Sequence, residues 1–206
     1  MDRNFTKFSY GPRYRVATAV IALAAIFAVG GCAFTTGHVD LSYQPSGDAT
    51  KVAQADSPPV AVQVSDKRPT QVVGQKINGF GMKTADIVAD TDVPGTIKNA
   101  FETELSDRGF TAGPNGNQVA VTLDSLQNSF TVGFFSGEAT ATAGMDVAVK
   151  RPNGTTAFDQ YFTGNSKDWI ELATPENAET MLDAAIKDAI TKVFADQTFL
   201  DVLKKS

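Results

Sequence analysis

The chain has 206 residues, 42% of them hydrophobic and 20% charged, proportions that belong to folded globular proteins. One cysteine and one histidine exclude a disulfide framework, a Cys/His zinc site and a triad that needs a spare histidine. A net charge of −5 argues against nucleic acid as a partner, whose footprint is a basic patch or stripe.

In chain order, Arg3, Lys7, Arg13 and Arg15 come first, opposed by Asp2 alone, and Val16 to Val29 then reads VATAVIALAAIFAV with only Thr18 polar. A basic start, an apolar stretch and small residues before a cleavage point predict an export signal over residues 1–31. A membrane-spanning helix needs about 20 apolar residues, and this run is shorter and stops at two glycines.

Val29-Gly30-Gly31-Cys32 resembles the bacterial lipobox. Small residues let extended backbone enter the peptidase, and only cysteine supplies a thiol for the diacylglyceryl group. The resemblance implies a membrane anchor through lipid on Cys32, where two or more acyl chains hold stably and one does not. Ala33 stands where inner-membrane lipoproteins carry a retaining aspartate, which implies the periplasmic face of the outer membrane in a Gram-negative bacterium. From Cys32 onward the chain keeps 14 basic and 22 acidic side chains, a net of −8.

Residues 32–58 are rich in Thr, Ser, Asp, Gly and Pro, without a sustained apolar period, and predict a flexible tether. As a coil its ends would lie on the order of 30 Å apart, and fully extended it would reach about 90 Å. His38 reads there as solvated surface. Leu41 and Tyr43, alternating near Pro45, are the pair that would dock on the domain if any part of the tether does.

One domain is expected over residues 59–206. Val60, Val62 and Val64 alternate as a strand, ended by Asp66-Lys67-Arg68-Pro69, and 70–77 predicts a weaker one closed by Asn78-Gly79-Phe80-Gly81. Asp92-Val93-Pro94 opens a helix whose apolar face is Val93, Ile97, Ala100, Phe101 and Leu105, with Gly109 as its stop. Val119, Val121 and Leu123 predict the next strand, with a bulge where alternation slips at Ser125-Leu126. Residues 138–150 alternate again, Asn153-Gly154 signals a hairpin, and 157–162 is the return strand. Thr174-Pro175-Glu176 starts a long amphipathic helix to about Ala195, and Thr198 is expected to cap a short last one. The fold class is α+β: a two-layer domain in which an antiparallel meander carries two main helices on one face.

Arg108-Gly109-Phe110 with Gly113-Pro114-Asn115, leading into Val119-Ala120-Val121, resembles the centre of the YajG family of bacterial lipoproteins. The likeness in element order spans residues 59–203, and the family shares the lipidation site, opening strand, hairpin meander and C-terminal amphipathic helix. It implies an outer-membrane-tethered periplasmic lipoprotein. It implies no activity and no cofactor.

Candidate chemistry is sparse. Asp124, Asp146 and Asp159 fall on the polar side of the strands and read as a solvated sheet face, with Asp66 just past the first strand. Ser125, Ser129 and Ser136 have no histidine outside the tether to activate them. Arg68 either lies over the surface beside a turn made by Asp66 or contacts an anionic lipid or a partner carboxylate. Phe130, Phe134 and Phe135 either plug the end of the core or form an exposed apolar tip meeting a partner or a membrane. Trp169 reads as a packing residue with its N–H satisfied. The expected function is a non-enzymatic lipoprotein docking on another component of the cell envelope, with an envelope protein as the candidate partner. A small-ligand binder and a peptidoglycan hydrolase are the alternatives, and oligomeric state is not written in any motif.

Overall fold

The structure, a computed structural model, describes residues 34–45, 47, 49–133 and 137–205. From Thr36 onward the chain forms one compact unit. Its strands are β1 (Gly37–Val39), β2 (Val60–Asp66), β3 (Val72–Ile77), β4 (Lys83–Ala89), β5 (Asn117–Val132), β6 (Gly137–Lys150) and β7 (Thr156–Ile170). Helix α1 (Val93–Asp107) lies between β4 and β5, and α2 (Pro175–Ala195) and α3 (Gln197–Leu203) follow β7.

Strands β5, β6 and β7 form the expected antiparallel meander, and β2 joins its β5 edge in parallel, Val62 opposite Val119. The ladder shifts register between Leu123 and Ser125, the bulge that the broken alternation predicts. A second, three-stranded sheet in the order β1-β4-β3 was not expected; β3 and β4 are antiparallel and β1 runs parallel to β4.

The helices cover one face of the larger sheet. Asp92 caps α1 by accepting from the Gly95 amide at 3.2 Å, and Thr174 caps α2 by accepting from Asn177 at 3.3 Å. Asp196, not Thr198, caps α3, accepting from both Thr198 and Phe199. Buried Ala139, Ala141 and Ala143 on β6 and Ala178, Ala185 and Ala189 on α2 keep the two layers close. Gly164 of β7 completes this approach, since a Cβ there would lie 1.9 Å from the Ala185 carbonyl oxygen. Toward the other end of α2, Phe101, Phe194, Phe199, Phe158 and Phe162 form a run of ring contacts with centroids 5.5–6.3 Å apart. These side chains pack between sheet and helices, and a cleft of about 90 Å³ lined by Val60, Val62, Leu105 and Phe110 lies between β2 and α1.

The C-terminus is clamped to the sheet. Asn117, fully buried, donates to the carbonyls of Leu203 and Lys205, while Arg151 donates to Asn117, Val202 and Lys205. These donors satisfy carbonyls that a helix end leaves open. On β7, the free edge is partly covered by α2: Asn165 donates its amide to Asp188, and the Thr163 carbonyl accepts from Lys192.

Candidate functional site

The segment expected to be a tether is a strap bound to the domain, which moves the domain boundary from residue 59 back to Thr36. Val39, which ends β1, and Leu41 are buried in the core, and the Asp90 amide donates to the Val39 carbonyl. Two acids of α2 then receive the strap backbone: Asp40 donates to Glu179 at 3.0 Å, and Ser42 donates both its amide and hydroxyl to Asp183 at 2.9 and 2.7 Å. Burial pushes the Asp183 carboxyl above its ordinary value, against the lowering effect of the Ser42 bonds. The Leu41–Tyr43 alternation was the one sequence signal of this docking.

Tyr43 ties the strap to α1. Its hydroxyl donates to Glu104 at 2.5 Å, and Glu104, 6% exposed, also receives the Arg108 guanidinium. Arg108 lies 4.5 Å over the Phe194 ring, and its carbonyl accepts from the Val52 and Ala53 amides. Helix α1 stops in a Schellman pattern: Phe110 donates to Leu105, Gly109 donates to Ser106, and Gly109 has φ +89°. The Arg108-Gly109-Phe110 triplet noticed in the sequence thus ends the helix and holds the strap. Burial, then the bond to Glu104, raises the Tyr43 pKa well above the usual tyrosine range.

One end of the domain gathers the exposed apolar side chains. Strand β3 runs beside β5 in the same direction, with Thr70 and Val72 bordering a cleft with Asp124–Gln127, and Gln75 and Ile77 bordering the next with Gln127–Phe130. The β3–β4 turn therefore lies at the β5–β6 end. Strand β7 finishes there too, because Ile170 faces Gly137 and Gly137 faces Val132. The β3–β4 turn is fixed by Asn78, whose side-chain oxygen accepts from the Phe80 and Met82 amides, both at 3.0 Å. Its side chains point outward: Phe80 is 89% and Met82 58% exposed. Trp169 and Leu172 are each 68% exposed, which corrects the expectation that Trp169 is a packing residue. Strand β1 runs parallel to β4 along its last three residues, Ile87–Ala89, away from the β3–β4 turn, with Gly37 against Pro175 at the beginning of α2.

Of the residues expected to contact a partner, Phe130 is half-buried and packs against the core. Arg68 is turned onto Asp66 in a two-pronged ion pair with a shortest distance of 2.7 Å, its side chain only 5% exposed. The pair holds the Asp66 carboxyl below its ordinary value. Phe134 and Phe135, together with Val29, Gly30, Gly31 and Cys32, lie outside the described residues. The strand carboxylates do meet: burial and the nearby Asp159 raise the Asp146 pKa, with Asp124 adding to it. They sit on the sheet face that the helices leave open, Asp124 at the border of the cleft it shares with Thr70 and Val72. His38 is bonded to Asp90 at 2.8 Å on the surface. Among the described residues, no His, Cys, Asp and Glu side chains assemble into a group able to hold a metal ion, and no helix is long and apolar enough to cross a membrane.

No curated protein matches this sequence. Among solved structures, the fold is similar to a Xanthomonas campestris protein of family DUF330, at 9% identity and TM-score 0.54 over 81% of this chain and 95% of that one. A minor lipoprotein from Acinetobacter baumannii aligns at 7% identity and TM-score 0.45, over 70% of this chain and 95% of its own. The first of these likenesses is one of fold alone. The sequence match is more specific, running from the strap through the clamped C-terminus: by residues 45–204, the chain belongs to the uncharacterized lipoprotein family Lipoprotein_16.

Proposed function

We propose that this is a non-enzymatic lipoprotein of the YajG type, anchored through Cys32 in the periplasmic leaflet of the outer membrane, where its domain docks on another protein of the envelope. The observation that carries the reading is how few residues lie between Cys32 and the fold. The strap begins at Thr36, so only residues 33–35 separate the lipid-bearing Cys32 from the folded unit. A domain held this closely meets partners in or against the same membrane, not partners a long tether would let it reach. Support also comes from the family match and from the packing between sheet and helices, where the cleft lined by Val60, Val62, Leu105 and Phe110 has a volume of only about 90 Å³, small beside ligand pockets of about 300 Å³ or more.

The test is photocrosslinking in cells, with a photoreactive residue at Tyr161 on the open sheet face or at the exposed Lys67 beside it. The expected outcome is recurrent capture of one envelope protein, lost when Cys32→Ser removes the anchor. Capture of a glycan or lipid fragment instead would favour ligand binding. No product from either position would overturn the docking role for this face.

A further inference from the structure

We infer that the end of the domain carrying Phe80, Met82, Val132, Trp169 and Leu172 rests in the interfacial zone of the leaflet that holds the Cys32 lipid. Six large apolar side chains are exposed among the described residues from Thr36 onward, and five of them lie at this end; the sixth, Tyr161, is midway along β7. Such a concentration is unusual for a surface that meets only water.

What covers it follows from the chain outside the fold. Cys32 precedes Gly37 by five residues, a stretch that spans at most about 18 Å. Strand β1 is parallel to β4, so the backbone enters β1 from the side of the β3–β4 turn, the same end as the apolar side chains. Gly37 itself sits opposite Ile87, about 13 Å along β4 from the turn, so a reach of about 18 Å lets a lipid on Cys32 hold this end against the bilayer. The chemistry suits that position. Tryptophan favours the headgroup level, where its ring is sheltered and its N–H stays wet. Beside the acids Asp168 and Glu171 that flank Trp169, two neighbouring acids are paired, Asp86 with Lys83 at 2.7 Å and Glu138 with Lys167 at 2.6 Å, which lessens the repulsion that a chain of net charge −8 would feel near headgroups.

The inference rests on the anchor at Cys32, and the experiment separates the two. Trp169 is the chain's one tryptophan, so its emission reads this surface without a label. The full lipidated protein is reconstituted into phosphatidylethanolamine vesicles containing a minor fraction of phosphatidylglycerol, with and without brominated acyl chains. Flotation with the vesicles reports the anchor. Emission shifted to the blue and quenched by about half or more in brominated vesicles reports insertion to the depth of the acyl boundary. The exposed triple variant Phe80→Ser, Met82→Ser, Leu172→Ser is expected to float equally well and to lose most of that quenching.

Protein that floats while Trp169 stays open to iodide and blind to bromine would overturn the inference and leave the anchor intact. A blue shift that depends on protein concentration, without bromine quenching, would assign the surface to a second copy and overturn it as well. Failure to float would remove the anchor, and the inference with it.

Discussion

Glu104 is the residue on which the strap depends. It is an acid on the apolar face of α1, 6% exposed, and it is tolerated there because Arg108 and Tyr43 bind its two oxygens separately. Removing one partner of a buried charged pair costs more than the pair contributes, because the other charge is left uncompensated. Glu104→Ala should therefore lower the unfolding free energy by about 3 kcal/mol. Tyr43→Phe, which leaves the ion pair in place, should cost about 1.5 kcal/mol, the lower end for a bond to a charged acceptor. Urea unfolding of the soluble Cys32→Ser chain at neutral pH measures both. The phenol adds a pH signature. Its folded pKa lies above the unfolded value of 10.0, so the native chain keeps the proton that the unfolded chain releases. Its contribution is complete below that value and is lost as pH rises through the folded pKa. The wild-type chain should lose stability between neutral pH and about pH 10.5 more steeply than Tyr43→Phe does. Equal slopes would place the alkaline sensitivity elsewhere.

At the scale of elements, close approach of β7 and α2 depends on the missing side chain of Gly164. A Cβ there would meet the Ala185 carbonyl oxygen and the Ala189 amide, backbone that can yield only if the whole helix moves. Gly164→Ala should destabilise by about 3 kcal/mol, the upper part of the range for overpacking. Gly144 is a useful contrast on the neighbouring strand: a Cβ there meets the Tyr161 hydroxyl and Ser125, side-chain ends that rotate into solvent, and Gly144→Ala should cost about 1 kcal/mol. If the two variants unfold at the same urea concentration, the helix is free to shift and the tight seam is not a constraint. The elements on either side of this seam were legible in sequence because each carries a period: α1 and α2 an apolar stripe, β2, β5 and β6 an alternation, and the β6–β7 turn its Asn-Gly. Strand β4 was not legible, since Lys83–Ala89 buries only Ala85 and Ile87 fully enough to mark a face. The far half of β7, GNSKDWI, has no apolar period either; it is a strand because β6 supplies its ladder. Pairing direction is equally silent in an alternation, so the parallel β2–β5 edge had no signal of its own. The contact end was half visible: the Phe-rich β5–β6 segment drew attention, while Phe80, Met82, Trp169 and Leu172 are scattered over ninety residues and only the shared direction of β3, β5 and β7 collects them.

For the whole molecule, the short leash and the parallel entry of β1 imply an orientation. Strands β5 to β7 are 14 to 16 residues long, so the sheet extends about 50 Å from the β3–β4 turn to the β6–β7 turn. With Gly37, opposite Ile87 and nearer the β3–β4 turn than the β6–β7 turn, within about 18 Å of the proposed lipid, the β6–β7 turn should stand well away from the membrane. With Cys32, the only thiol, lipidated as proposed, a cysteine introduced at Asn78 or Asn153 can be labelled alone. Energy transfer to an acceptor in the headgroups should be strong from Asn78→Cys and weak from Asn153→Cys in the anchored protein. Inserting twenty Gly/Ser residues just before Thr36 gives the leash a coil dimension of about 25 Å, so the lipid no longer sets the angle of approach. If orientation comes from the leash alone, the insertion should bring the two transfer efficiencies together without changing the urea midpoint. If the apolar end itself sits in the interface, Asn78→Cys should keep its stronger transfer even with the longer leash. Equal transfer in the unmodified chain would mean that the domain tumbles at its anchor, and neither the strap nor the apolar end orients it.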